Sequence, residues 1–260
     1  MAYARVRTRV WPRDVKKHKR GAQTDQLMRT CDAAHIAFDL DFTLSTYPLT
    51  TAQVIEAALA RCGLDADAIG AVDELGSEYD ALWLKLQMES TSARELRLAI
   101  WERILARRNL GKALAAPIAT AYGDIRRETG VRLFEGVPEM LALLRARGYR
   151  LGLLTNGLSE LQWEKIRALD LEPRLDAVVV ADDVGCSKPD RRAFAALLDR
   201  LGARAEDTLF VGDSYDADIV GAHGAGMQTA WVSPDGVGRP GPVVPDYVLA
   251  SAAEVGRILP

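Results

Sequence analysis

The strongest constraint on the fold lies in the second half of the chain, where short apolar runs alternate with helix-patterned stretches. "YRLGLLTN" precedes "LSELQWEKIRAL", "DAVVVADD" precedes "RRAFAALLDRLG", "TLFVGDS" precedes "DADIVGAHGAG", and "TAWVS" closes the series. A run such as "AVVVA" is apolar at every position, not every second one, which suits a strand covered on both faces. This alternation predicts an α/β fold: a Rossmann-like parallel sheet with helices on both faces. An earlier run, "IAFDLDFTL" at residues 36–44, supplies one more strand, with Ile36, Phe38, Leu40 and Phe42 in alternation. Four of the five runs end in polar residues: Asp39 and Asp41, Thr155 and Asn156, Asp182 and Asp183, and Asp213. Ligands of open α/β sheets bind outside the carboxyl ends of the strands, so these residues are expected to meet at one edge.

Between the first strand and the rest, the pattern is helical throughout. "TTAQVIEAALARCG" offers Thr50 or Thr51 as an N-cap and Gly63 as a stop. Three more amphipathic stretches follow, up to Gly130, with no strand between them. The expected organisation is an α/β core of residues 31–46 and 131–260, a helical insertion at 47–130, and a basic N-terminal extension at 1–30. Its first 20 residues set eight Lys and Arg against one acid, Asp14. It reads as a solvated, poorly ordered arm, and any nucleic-acid contact is expected only through residues 1–20.

Composition narrows the function classes. The 260 residues are 48% hydrophobic and 27% charged, the balance of a soluble globular protein. A net charge of -3 gives no reason to expect a nucleic-acid partner for the whole chain. The three cysteines are far apart without a CxxC, and the three histidines form no ligand cluster. Neither a disulfide framework nor a structural zinc site is expected, and a reducing cytoplasm fits. No apolar stretch approaches the roughly 20 residues that span a bilayer.

Strands disfavour Asp, and a buried charge is costly unless it is paired or bound to a metal. Asp39, Asp41 and Asp213 converging at one edge need a cation, and hard oxygen ligands favour Mg²⁺. Lys188 in "CSKPD" supplies a positive charge. Thr155 and the backbone N–H groups of "TNG" are donors suited to a phosphate, and Gly157 lets the backbone approach closely. Such a set points to phosphoryl transfer, which is mostly positioning and charge neutralisation.

"DLDFT", "TNG", "SKP" and "VGDSYDADIVGA", in that order, resemble the four signature motifs of the haloacid dehalogenase superfamily, over about residues 34–250. Each motif alone is weak; all four, each at a strand end or in the loop after it, are specific. The resemblance implies a phosphatase with a helical cap at the position of the insertion. By it, Asp39 is the nucleophile that forms an aspartyl-phosphate, and Asp41 is the general acid/base. Asp39, the backbone carbonyl of Asp41 and Asp213 are implied Mg²⁺ ligands. Thr155 and Asn156 match the phosphate-binding loop, Lys188 the stabilising lysine, Asp218 a lysine-orienting acid, and Thr43 a loop-steadying hydroxyl. Phe42 stands where glycine is most frequent and reads as a change in pocket shape. Asp216 reads as a helix cap. Asp182 and Asp183 read as caps too, with a site role for Asp183 as the alternative.

The implied activity is hydrolysis of a small phosphate ester, with a nucleoside monophosphate or sugar phosphate first in line, by a monomer or homodimer. A 2-haloacid dehalogenase needs no second acid, and Asp41 argues against it. A phosphomutase of this family uses a hinge histidine after the first motif, and no His falls between His35 and His223. The third alternative is an inactive binding protein that works through the basic arm, which the intact Asp39 and Asp41 argue against. In the insertion, Tyr79, Trp83, Lys85, Arg94, Arg97 and Trp101 read as core aromatics and solvated cations before they read as pocket lining. Deleting residues 1–30 should leave folding and hydrolysis of a small phosphate ester intact. A truncated chain that fails to fold or loses that activity would show that the arm packs on the core.

Overall fold

The computed structural model describes residues 31–87, 89–235 and 241–260. The basic arm and its nucleic-acid reading lie outside the described residues. Two compact units divide the described chain at Thr46/Tyr47 and Gly130/Val131.

The larger unit is built on a six-stranded sheet. Its strands are β1 (His35–Phe38), β4 (Arg150–Thr155), β5 (Ala177–Val180), β6 (Thr208–Gly212), β7 (Gln228–Val232) and β8 (Tyr247–Leu249). They lie in the order β5-β4-β1-β6-β7-β8, and every pairing is parallel. From β1 the chain builds outward through β4 and β5, then returns to the other side of β1 with β6. The order therefore reverses beside β1, which is where an open α/β sheet presents a binding crevice. Ile36 and Phe38 face a core that includes Leu141 and Leu144 of helix α5 (Val137–Ala146) and Ile166 of α6 (Ser159–Ala168). Ala37 faces the opposite core, with Phe194 and Leu197 of α7 (Arg191–Leu201) and Phe210 of β6. Helices thus cover both faces, which is why the strands carry no polar alternation. A two-stranded antiparallel ladder, β2 (Ser45–Thr46) with β3 (Arg132–Leu133), joins residues that flank the insertion in sequence.

The strand expected over residues 36–42 is shorter than its alternation suggests: β1 ends at Phe38. Phe42 takes the left-handed conformation, φ 64°. The chain turns back there, and the Phe42 N–H donates to Ser45 O at 2.7 Å. Leu40 is fully buried, whereas Phe42 is 40% exposed.

The smaller unit holds four helices: α1 (Thr51–Arg61), α2 (Val72–Leu86), α3 (Ala93–Arg107) and α4 (Ala115–Thr129). Thr50 caps α1 in a reciprocal box with Gln53, satisfying two backbone donors that the helix itself cannot. α1 and α3 each pack on α2 and α4. Tyr79 and Trp101 are buried in this bundle, and Tyr79 stacks on Tyr122 with ring centroids 4.5 Å apart. Lys85 and Arg94 are exposed. Among the described residues no helix is long and apolar enough to cross a membrane.

The Tyr79 hydroxyl is buried without a hydrogen-bond partner among the described residues. An unpaired buried hydroxyl costs about 1–3 kcal/mol. Tyr79→Phe should therefore raise stability in urea unfolding by about 1 kcal/mol; a loss of similar size would show that the hydroxyl has a partner, such as a bound water.

Candidate active site

Asp39 is the first residue beyond β1, and its N–H continues the ladder to Val211 O at 2.9 Å. Its side chain is buried at the sheet edge, where Lys188 meets it. Lys188 Nζ lies 2.6 Å from Asp39 Oδ1 and 2.7 Å from Asp218 Oδ1. All three side chains are buried. Asp218 spends its other oxygen on the Ser214 N–H at 2.8 Å, so it is oriented from both sides. Gly212 makes this possible, since a Cβ there would fall 2.4 Å from the Asp218 carboxyl. Ser214, not Asp216 or Asp218, caps the helical turn Tyr215–Val220 with its side chain.

Asp213 completes the acidic group. Its backbone carbonyl accepts from Trp231 Nε1 at 2.9 Å, and Thr43 Oγ1 donates to its Oδ1 at 3.4 Å. One carboxylate oxygen each from Asp39, Asp213 and Asp218 lies within 4.8 Å of the others. Asp39 and Asp213 thus offer hard carboxylate oxygens of the kind a divalent cation takes, while both oxygens of Asp218 are already engaged by Lys188 and the Ser214 N–H.

Asn156 braces the lysine. Its Nδ2 donates to Lys188 O at 3.0 Å, and its Oδ1 accepts from Lys188 N at 2.9 Å. The side chain expected in a phosphate-binding loop is thus occupied with the backbone of Lys188. Thr155 ends β4 and is buried, with Oγ1 3.4 Å from Asn156 O.

Asp41 turns to a different partner. Lys165 Nζ of α6 lies 2.8 Å from Asp41 Oδ1 and 2.5 Å from Oδ2, and Gln162 Nε2 donates to Oδ2 at 3.1 Å. Sequence reading missed both residues. One signal was available: Gln162 shares the buried face of α6 with Ile166, a position where a polar side chain needs a reason. Asp182 accepts from the Ser159 N–H at the start of α6, and Asp183 accepts from Trp163 Nε1 at 2.9 Å. Both acids therefore anchor α6. Phe42, between the two site carboxylates and Thr43, shows why glycine suits this position: the backbone is left-handed.

Burial pushes the Asp39 carboxyl up to about 7; Lys188 opposes the rise and the Asp218 charge adds to it. For Lys188, burial acts to lower the pKa, but the Asp218 and Asp39 carboxylates outweigh it and hold the ammonium above the ordinary lysine value. The sign for stability follows. Between pH 3.8 and about 7 the metal-free folded state keeps a proton on Asp39 that the unfolded chain has released. The stability this proton contributes is present below that window and is lost as pH rises through it. Asp39→Asn should flatten this fall, and the metal-free variant should melt above wild type at pH 8. Parallel melting curves from pH 4 to 8 would contradict the burial of a strained charge at this position.

A family model described as haloacid dehalogenase-like hydrolase matches residues 33–226. The chain is 39% identical over 103 residues to a glyceraldehyde 3-phosphate phosphatase of Methanothermobacter thermautotrophicus, covering 40% of this chain and 46% of that protein. It spans a little under half the length of the glyceraldehyde 3-phosphate phosphatases that it matches. It is 28% identical over 231 residues to the pyrimidine 5'-nucleotidase YjjG of Escherichia coli, covering 86% of this chain and 96% of that one. The magnesium-bound structure of Bacillus subtilis YfnB superposes with a TM-score of 0.70 at 24% identity, over 87% of this chain and 98% of that one, a likeness of fold. With its family match spanning most of the chain, this protein belongs to the haloacid dehalogenase-like hydrolases.

Proposed function

We propose that the protein is a Mg²⁺-dependent phosphomonoesterase acting on a small phosphorylated metabolite, with a nucleoside monophosphate or a sugar phosphate as the leading substrate classes. The observation that carries this reading is Lys188 held between Asp39 and Asp218, beside Asp213, at the carboxyl edge of the sheet. A carboxylate there can attack phosphorus while an ammonium neutralises the phosphoryl oxygens. Asp39 forms the bond to phosphorus. Asp41 gives a proton to the leaving oxygen, then takes one from the water that attacks the aspartyl-phosphate. Asp39, Asp213 and the backbone carbonyl of Asp41 would hold the magnesium ion, which supplies charge for the transferring group and aligns it with the nucleophile. Thr155 and the loop after it face the phosphate, and Asn156 and Asp218 fix where the lysine stands. The helical unit 47–130 is assigned the role of a substrate-selecting cap, and the enzyme a place in the cytoplasm, as monomer or homodimer. The names of the relatives, a nucleotidase and a triose-phosphate phosphatase, support the substrate classes.

The test is a hydrolysis screen of nucleoside 5'-monophosphates, sugar phosphates and phosphoglycolate, with Mg²⁺ and with excess EDTA. Turnover should require the metal. Asp39→Asn should abolish it, and Asp41→Asn should lose roughly 10²–10⁴-fold on an alkyl phosphate, the usual worth of general acid–base catalysis. Undiminished turnover in EDTA, or an active Asp39→Asn variant, would sink the reading.

A further inference from the structure

Gln162 and Lys165 lie three positions apart on α6, close enough to act on one group. The helix that carries them is pinned: Asp182 Oδ2 accepts from the Ser159 N–H at 2.9 Å, and Asp183 holds Trp163. Lys165 spans both carboxylate oxygens of Asp41, with only 13% of the lysine side chain and 25% of the aspartate side chain exposed. Gln162 Nε2 divides itself between Asp41 Oδ2 at 3.1 Å and Asn156 O at 2.7 Å. Two acceptors on that nitrogen settle which end of the amide is which. Gln162 Oε1 is then a buried acceptor with no partner among the described residues. Gly157 gives the glutamine its room: it has φ 120°, and a Cβ there would stand 2.6 Å from Gln162 Nε2. Loop backbone, glutamine, lysine and Asp41 interlock. Exposed ion pairs are worth little because two long side chains must be ordered in water. This pair is largely out of water, on a fixed helix, and it grips the carboxylate at two points.

We propose that Lys165 and Gln162 are positioning residues that hold the Asp41 carboxylate in the pose from which it takes a proton from the attacking water, so that with a leaving group that needs no proton they govern breakdown of the aspartyl-phosphate and not its formation. The inference rests on the phosphatase reading of the site. In the step concerned, the water oxygen bonds to phosphorus and the bond from phosphorus to the Asp39 oxygen breaks. That electron pair returns to the Asp39 carboxylate, inorganic phosphate is released, and the water proton passes to Asp41. No reactant beyond the phosphoenzyme and water is needed.

p-Nitrophenyl phosphate separates the two half-reactions, because its leaving group needs little protonation: kcat/KM reports phosphorylation of Asp39, and the level of trapped phosphoenzyme reports its breakdown. In Mg²⁺, Lys165→Met should lower kcat by about 10²-fold, the effect expected of a misplaced catalytic group. KM should fall with it, kcat/KM should hold within a few-fold, and acid-quenched phosphoenzyme should accumulate. Lys165→Arg should recover part of the rate, and Gln162→Leu should follow the methionine variant in kind. In the Asp41→Asn background, adding Lys165→Met should cost nothing more, since its effect passes through Asp41. An unchanged kcat, a raised KM at constant kcat, or a multiplicative loss in the double variant overturns the positioning role and leaves the phosphatase reading standing. Turnover that survives Asp39→Asn overturns the reading itself, whatever Lys165 does.

Discussion

One buried ammonium between two carboxylates sets the terms for the rest of the site. Lys188 Nζ touches Asp39 and Asp218 with all three side chains out of water. Such a group costs desolvation at every charge, and removing the shared ammonium would strand both carboxylates, a loss of about 3–5 kcal/mol. The surroundings are arranged to keep it whole. Asn156 grips the lysine backbone at both its N–H and its C=O, the Ser214 N–H takes the far oxygen of Asp218, and Gly212 stands aside for it. Burial lifts the Asp39 carboxyl to about 7 despite the lysine, so the metal-free site stores an electrostatic cost at the residue assigned as nucleophile.

The sheet order explains why these groups meet. Asp39 follows β1, Thr155 ends β4 and Asp213 follows β6, and β1 lies directly between the other two. A parallel sheet aligns all three carboxyl ends on one edge, and the reversal of strand order beside β1 opens a crevice there. Apolar residues on both faces of β1 lock the register, since a slip by one residue would exchange the core of Ile36 and Phe38 with that of Ala37. Residues tens of positions apart in sequence thus become neighbours through the pairing and burial of the strands that carry them.

The α/β class was legible because a doubly covered parallel strand leaves a continuous apolar run, as in "AVVVA", and the acids at the strand ends broke a local rule that only a site explains. Other parts left weaker marks. The helix Val137–Ala146 and the edge strand Tyr247–Leu249 lie outside the alternation that carried the sequence reading. The end of β1 at Phe38 was hidden because Leu40 keeps the apolar alternation, while the turn depends on a left-handed phenylalanine, marked only by the glycine usual at its place in the motif. Lys165 looked like any cation in the last turn of an amphipathic helix, where a solvated side chain is the common outcome. Only tertiary structure brings it to Asp41, across 124 residues. Asn156 shows the converse: its motif was plain, but its contact with the Lys188 backbone depends on where another loop runs.

The central claim is that Asp39 becomes covalently phosphorylated, and chemical mapping of the intermediate tests it most directly. Enzyme quenched during turnover with Mg²⁺ and then reduced with borohydride should carry homoserine in place of aspartate at position 39 alone, because an acyl phosphate is reduced and a free carboxylate is not. Reduction at another acid, or turnover with no reducible acyl phosphate at any residue, would contradict the account.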